Sequence, residues 1–375
     1  MTSTIVEPQA TANSTVDNAA EPGISETVSG SLATALRRSA EIERQIGEEP
    51  HSFRILTGDR PTGDLHLGHY FGTLRNRVRL QDAGAELFVL VADYQVLTDR
   101  DTADRLRDHV TGMVLDYLAI GIDPRRSTIF AHSAVPALNQ LLLPFLSLVS
   151  VPELNRNPTV KDEIAHSRQS SVSGLMFTYP AHQAADILFC KANCVPVGKD
   201  QLPHVELTRL IARRFNERYS PVFPEPEALL SRAPLLLGTD GGKMSKSRGN
   251  AIDIRATADE TARLIKGAKT DSVRDISYDP AARPEVSSLV LLAALCLDAD
   301  PVAVAAEIGG SGAAALKKTL TEAVNERFAP IRARRAELAA DPGYALAVLR
   351  EGCDRARAIG DATLAQVRDA MGMQY

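Results

Sequence analysis

Short, continuously apolar runs alternate along this chain with longer stretches whose apolar residues return every three or four positions. The short runs are Phe53–Leu56, Leu87–Val91, Thr128–Ala131 and Cys194–Val197. Unbroken apolarity over so few residues predicts strands covered on both faces, as in a parallel sheet. The helical patterns between them carry Leu74, Val78 and Leu80, then Leu106, Val110, Met113, Val114 and Tyr117 within Asp101–Ala119. They continue through the almost wholly apolar Ala137–Val149, and through Met176–Phe189 and His204–Arg218. Lys161–Arg168 reads as a short polar helix and Ser170–Gly174 as a flexible connection. Strand–helix alternation predicts an α/β class, a Rossmann-like doubly wound parallel sheet with ligands beyond the carboxyl ends of its strands.

Pro221, Pro224, Pro226 and Pro234 interrupt the pattern, and beyond Asn250 it is helical and rich in alanine. The expected organisation is therefore a catalytic domain over 51–255 and a C-terminal helical domain over 256–375. Residues 1 to about 30 hold Glu7, Asp17, Glu21 and Glu26 but no Lys or Arg, which predicts a disordered acidic tail. A leading helix over Leu32–Ile46 completes the 1–50 segment, and folding proper is expected from about Ser52.

Composition narrows the partners. With 375 residues, 44% apolar content and a net charge of -5, the chain can bury a large core but cannot coat nucleic acid by bulk attraction. A structured RNA needs only a local basic patch. The four cysteines are scattered, as in a reducing compartment. His182, Cys190 and Cys194 lack a second ligand pair at zinc-site spacing, so no metal site is read. The longest apolar run, Leu141–Val151, is short and broken by Pro144. With no signal-peptide core at the N-terminus, the expectation is a cytoplasmic protein without a membrane partner.

The chemistry lies in two glycine-rich segments. The first, Thr57-Gly58-Asp59-Arg60-Pro61-Thr62-Gly63-Asp64-Leu65-His66-Leu67-Gly68-His69, leads from a strand into a helix. His66 and His69 share a helical face there, beside backbone N–H groups that favour phosphate. The second, Gly241-Gly242-Lys243-Met244-Ser245-Lys246-Ser247-Arg248-Gly249-Asn250, sets cations and hydroxyls between glycines and reads as a mobile phosphate-binding loop. Neither G-x-G-x-x-G nor a P-loop occurs, so both common nucleotide devices are excluded.

His66-Leu67-Gly68-His69 resembles the first signature of class I aminoacyl-tRNA synthetases, and Lys243-Met244-Ser245-Lys246-Ser247 matches their second. The two stand in the right order, about 175 residues apart. The resemblance implies activation of an amino acid by ATP with Mg²⁺, then transfer to tRNA. Lys243 and Lys246 would hold the pyrophosphate, while His66 and His69 would organise the α-phosphate and ribose side.

One further helix and turn bear on the amino acid. Tyr179, Gln183 and Asp186 lie at i, i+4 and i+7, on one face of one helix. A buried aspartate needs a donor: an indole N–H, a phenol O–H, or an arginine bracing the sheet. Val195–Arg209, with Gly198-Lys199-Asp200-Gln201 before His204, closely resembles the equivalent segment of tryptophanyl-tRNA synthetases. That likeness implies that Asp186 accepts the indole N–H and that Tyr179 and Gln201 bind the α-amino group, with Gln183 beside the indole. Arg60, Pro61, Thr62, Gly68 and His69, Gly198, Lys199 and Asp200, a backbone group near Leu235, and the loop residues Met244, Ser245 and Ser247 would bind ATP. Three residues depart from the family pattern. Arg60 stands for a usual glutamine, Lys199 for a glutamate and Gln183 for a methionine. The expected partners are L-tryptophan, tRNA(Trp) and a second subunit in a homodimer, with Ala137–Val149 at the contact and Arg332, Arg334 or Arg335 reading the anticodon. Competing expectations are a tyrosine–tRNA ligase, a nucleotidyltransferase and a non-catalytic paralogue.

Overall fold

The computed structural model describes residues 23–98, 105–157, 173–231, 236–245 and 248–375, with side chains from residue 33 onward. Five strands, β1 (Arg54–Asp59), β2 (Glu86–Val91), β3 (Ser127–Ala131), β4 (Cys194–Val197) and β5 (Glu227–Leu230), form one sheet in the order β3-β2-β1-β4-β5. Every pairing is parallel. The four expected strands form within two residues of their predicted starts, and β1 runs on into the glycine-rich segment as far as Asp59. β5 was hidden in the sequence by the prolines that flank it. The order in which successive strands are added reverses between β1 and β4, so the carboxyl ends of those parallel strands, at Asp59 and Val197, frame a natural crevice.

The first helix, α1 (Gly23–Glu48), begins before the point where disorder was expected to end. Its later turns explain why: Ile42 and Ile46 are buried in the main core, and Ser39 Oγ accepts from Leu230 N at 2.9 Å and donates to Ala228 O at 3.2 Å. An anchored helix propagates outward at little cost. Folding therefore starts upstream of Ser52, because α1 covers the β5 edge that would otherwise offer unpaired backbone groups.

After β1 the chain enters α2 (Leu67–His69), a π-helical turn over Tyr70–Leu74 and α3 (Arg75–Ala83). Then come α4 (Leu106–Ile120), α5 (Pro136–Leu146), α6 (Val151–Arg156), α7 (Gly174–Leu188) and α8 (Leu202–Arg218). The expected start at Asp101, the polar helix Lys161–Arg168 and most of the connection Ser170–Gly174 lie outside the described residues. The apolar stretch Ala137–Val149 divides in use. Ala137, Leu138, Leu141 and Phe145 are buried core, while Leu143 is 74% exposed.

The C-terminal part is helical: α9 (Ala258–Lys266), α10 (Pro284–Leu297), α11 (Pro301–Ile308), α12 (Gly312–Ala339) and α13 (Tyr344–Ala370). It shares the sheet's hydrophobic core, with Phe328 of α12 edge-on to Tyr70 at 4.8 Å. α13 crosses β3 so closely that a Cβ on Gly352 would lie 1.9 Å from Ile129 O, which only glycine permits. Arg335 reaches back from α12 to the buried Asp116 of α4, Nε to Oδ1 2.5 Å. Arg332 is held by Thr261 and Asn325. Both arginines brace the packing, so of the three offered as anticodon readers Arg334 is the exposed one. No single helix among the described residues is long and apolar enough to cross a membrane.

Candidate active site

The crevice between β1 and β4 opens into a cavity of about 310 Å³, lined by Asp59, Arg60, Arg77, Gln95, Tyr179, Gln183, Asp186, Gly198 and Gln201 among others. Six sequence-predicted residues (Arg60, Tyr179, Gln183, Asp186, Gly198 and Gln201) thus meet around one space. α7 supplies three of them because its small residues Ala181, Ala184 and Ala185 bury against the core and turn the polar face to the cavity. Ser173 Oγ starts that helix by accepting from Met176 N at 3.1 Å.

Asp186 is the most constrained group. It is 1% exposed, and neither carboxylate oxygen makes a hydrogen bond among the described residues. Among the described residues no arginine pairs with it, so the bracing alternative finds no partner there. Its neighbour is His132, just after β3, with Nε2 at 2.8 Å from Oδ1 but off the line of a hydrogen bond. His182 stands close by, and burial lowers its pKa against the opposing pull of Asp186. Ligand atoms of His132, His182 and Asp186 all lie within 4.8 Å of one another. Cys190 and Cys194 fall outside that group, and burial holds both thiols at about 12, far from zinc-binding thiolates.

The polar wall continues through Gln183 Nε2, 3.5 Å from Gln201 Oε1, and Tyr179 Oη, 3.5 Å from Gln95 Oε1. The Oε1 of Gln183 is buried with no hydrogen-bond partner among the described residues. Beneath Tyr179, His204 packs edge-on at 5.5 Å; burial depresses it to about 4 against Asp200. Opposite, Asp59 Oδ2 accepts from Arg77 Nη1 at 2.5 Å and Tyr117 Oη at 2.6 Å. Burial works against the Asp59 charge, but the Arg77 guanidinium outweighs it, helped by His69 and Tyr117, and the carboxyl is held at about 2. Neither Arg77 nor Gln95 was picked out from sequence. The available signal was an arginine three residues after Leu74 on the face that should be apolar.

The two glycine-rich segments come together. A Cβ on Gly68 would come within 3.0 Å of the His66 ring and 3.3 Å of Met244 Sδ, so the glycine lets the loop seat on the helix start. Leu67 N donates to Ile252 O at 2.9 Å and Ile254 N to Leu65 O at 3.0 Å, stitching the chain beyond the loop to the first segment. The His66 and His69 rings meet at 3.7 Å, tilted by 34°, and His66 N donates to His69 Nδ1 at 3.1 Å. Pro61 and Thr62 follow Arg60, and Lys199 and Asp200 are exposed beside Gly198.

The lysine loop is less free than expected at its base. Asn250, 2% exposed, accepts from Ser245 N at 2.8 Å and donates to Asp240 Oδ1 at 2.7 Å and Lys243 O at 3.1 Å. The side chain of Lys243 remains exposed. Leu235, Lys246 and Ser247 lie outside the described residues.

The family profile described as tRNA synthetases class I (W and Y) matches residues 48–329, three-quarters of the chain and both glycine-rich segments. The chain belongs to the class I tRNA synthetases for tryptophan and tyrosine. Within this synthetase family it is 43% identical to the tryptophan–tRNA ligase of Treponema pallidum over 327 residues, 85% of this chain and 97% of that one. It is 41% identical to the tryptophan–tRNA ligase of Thermotoga maritima, covering 86% of this chain and all of the other. Among solved structures it is similar to the tryptophanyl-tRNA synthetase of Campylobacter jejuni complexed with ADP and tryptophan, with a TM-score of 0.74 and 32% identity over 85% and 99% of the two chains.

Proposed function

We propose that this synthetase is a tryptophan–tRNA ligase: it activates L-tryptophan with ATP to tryptophanyl-adenylate and pyrophosphate, then transfers tryptophan to the 3′ end of tRNA(Trp). The observation that carries the reading is Asp186, a buried carboxylate without a hydrogen bond, at the wall of the cavity. A buried charge in that condition is costly until a donor arrives, and the indole N–H is that donor. Tyr179 and Gln201 take the α-ammonium, with Gln183 along the ring.

ATP enters from the side of Gly68 and the lysine loop. The tryptophan carboxylate attacks the α-phosphate in line, forming the acyl–phosphate bond as the bond to pyrophosphate breaks, so no protein nucleophile is required. Catalysis is then positioning and charge stabilisation. Lys243 and Lys246 draw the leaving pyrophosphate, and His66 and His69 steady the α-phosphate and ribose side. Arg60 to Thr62, Gly198 to Asp200 and the backbone near Leu235 contact the nucleotide. Mg²⁺ would supply further counter-charge to the phosphates beside Lys243 and Lys246. Among the described residues, the grouped metal-capable side chains His132, His182 and Asp186 are committed to the amino-acid end. A homodimer formed through the outer face of α5, where Leu143 is exposed, would let one tRNA span two subunits. The reading places the enzyme in the cytoplasm, where charged tRNA is used.

The test is tryptophan-dependent ATP–pyrophosphate exchange screened against all twenty amino acids, followed by charging of a tRNA(Trp) transcript. Tryptophan alone should support strong exchange. Preference for tyrosine would overturn the substrate assignment, and exchange without charging would point to a nucleotidyltransferase.

A further inference from the structure

The histidine beside Asp186 has no role in the scheme above, yet its placement is unusual. His132 is 0% exposed, and neither ring nitrogen makes a hydrogen bond among the described residues. It is held instead by ring packing. Tyr94 lies nearly parallel at 6.1 Å, and His182 sits edge-on at 4.9 Å. His182 has an anchor of its own, Nε2 to Asn139 Oδ1 at 3.2 Å. An imidazole buried without partners is expensive, and an apolar ring would fill the same space at lower cost. Asp186 Oδ1 stands 2.8 Å from Nε2 of His132.

Resting on the reading of Asp186 as the indole anchor, we propose that His132 is a positioning residue for tryptophan: as tryptophan binds, the 2.8 Å contact turns into line so that Nε2 donates to Oδ1 of Asp186 and leaves the other oxygen to accept the indole N–H. A carboxylate on a helix can swing about its last torsion. A fixed donor on one oxygen removes that freedom and aims the other. His132 comes from the end of β3 and Asp186 from α7, so the aim is set by two elements packed in the same core.

The experiment compares full-length wild-type, His132→Phe and His132→Gln proteins. Binding of tryptophan and of its benzothiophene analogue, with sulfur in place of the N–H, is measured by calorimetry, and exchange kinetics with tryptophan separate KM from kcat. Phe keeps the ring packing and removes the donor; Gln keeps a donor and loses the ring. His132→Phe should raise KM for tryptophan on the order of 10-fold, with kcat and analogue binding little changed, while His132→Gln keeps the preference for tryptophan. A packing role predicts the reverse order of damage. Should His132→Phe not fold, the His132 ring nitrogen resonance of the wild-type protein, followed by NMR, should move on adding tryptophan and stay with the analogue. The proposal fails if His132→Phe retains full selectivity, if the His132 resonance is indifferent to tryptophan, or if chelation of the wild-type enzyme abolishes selectivity, which would assign the three side chains to a cation. A wild-type enzyme that binds both ligands equally gives a different result: it removes Asp186 as the anchor.

Discussion

The two ends of the cleft are built on opposite principles. At the amino-acid end the charged groups are deep in the protein, with Asp186 against His132 and Asp59 between Arg77 and Tyr117. At the phosphate end Lys243 is exposed, and the loop is fastened mainly below, through Asn250. A fixed, dry carboxylate discriminates well, because a ligand lacking the matching donor leaves it unpaired. Charges that neutralise a departing pyrophosphate must come and go with it, which buried groups cannot do. In the proposed function rigidity would select the amino acid and exposure would serve turnover.

The sharpest way to break this contrast is Asp186→Ala. It should reduce kcat/KM for tryptophan roughly 10³-fold or more in pyrophosphate exchange while the protein stays folded by circular dichroism. Retention of selective tryptophan activity would deny the buried end its selecting role. At the exposed end, Lys243→Ala should lower the rate of adenylate formation about 10²-fold, roughly 3 kcal/mol, with tryptophan binding little altered in single-turnover assays. An equal loss of tryptophan affinity would mean that the two ends are not separable.

Acid should act on the buried end first. His204 is depressed by burial to about 4, below its unfolded value, so the unfolded chain takes up its proton before the folded one does. Stability from this group is therefore complete above about pH 6.5 and falls by about 3 kcal/mol as the pH drops toward about 4. Denaturant unfolding of wild type and His204→Leu across that range checks it; the variant should lack this component of the slope. The smallest expected effect is Asn250→Ala, which removes the loop's fastening. It should cost about 1–2 kcal/mol of stability and lower kcat by less than Lys243→Ala does, measured by thermal unfolding and exchange.

Much of this was legible before any coordinates. Uninterrupted apolar runs announced β2, β3 and β4 because strands buried on both faces have no polar side to show. Tyr179, Gln183 and Asp186 could be grouped because helical spacing alone puts them on one face. β5 escaped because it is short and hemmed by prolines, so its identity depends on pairing with β4 and on cover from α1. Arg332 and Arg335 were misread as RNA contacts, since charge on a helix does not reveal whether the partner is solvent, RNA or a buried Asp116 from elsewhere in the chain.

Sequence alone determined the sheet class, the two signature segments and the helix that carries Asp186, all properties of local period or local chemistry. Only the tertiary structure decided that Gly68 meets Met244, that Arg77 neutralises Asp59, and that His132 stands against Asp186. Those pairings join residues from 18 to 176 positions apart, a separation over which neither propensity nor spacing specifies contact, and it is the packing of the shared core that brings them together.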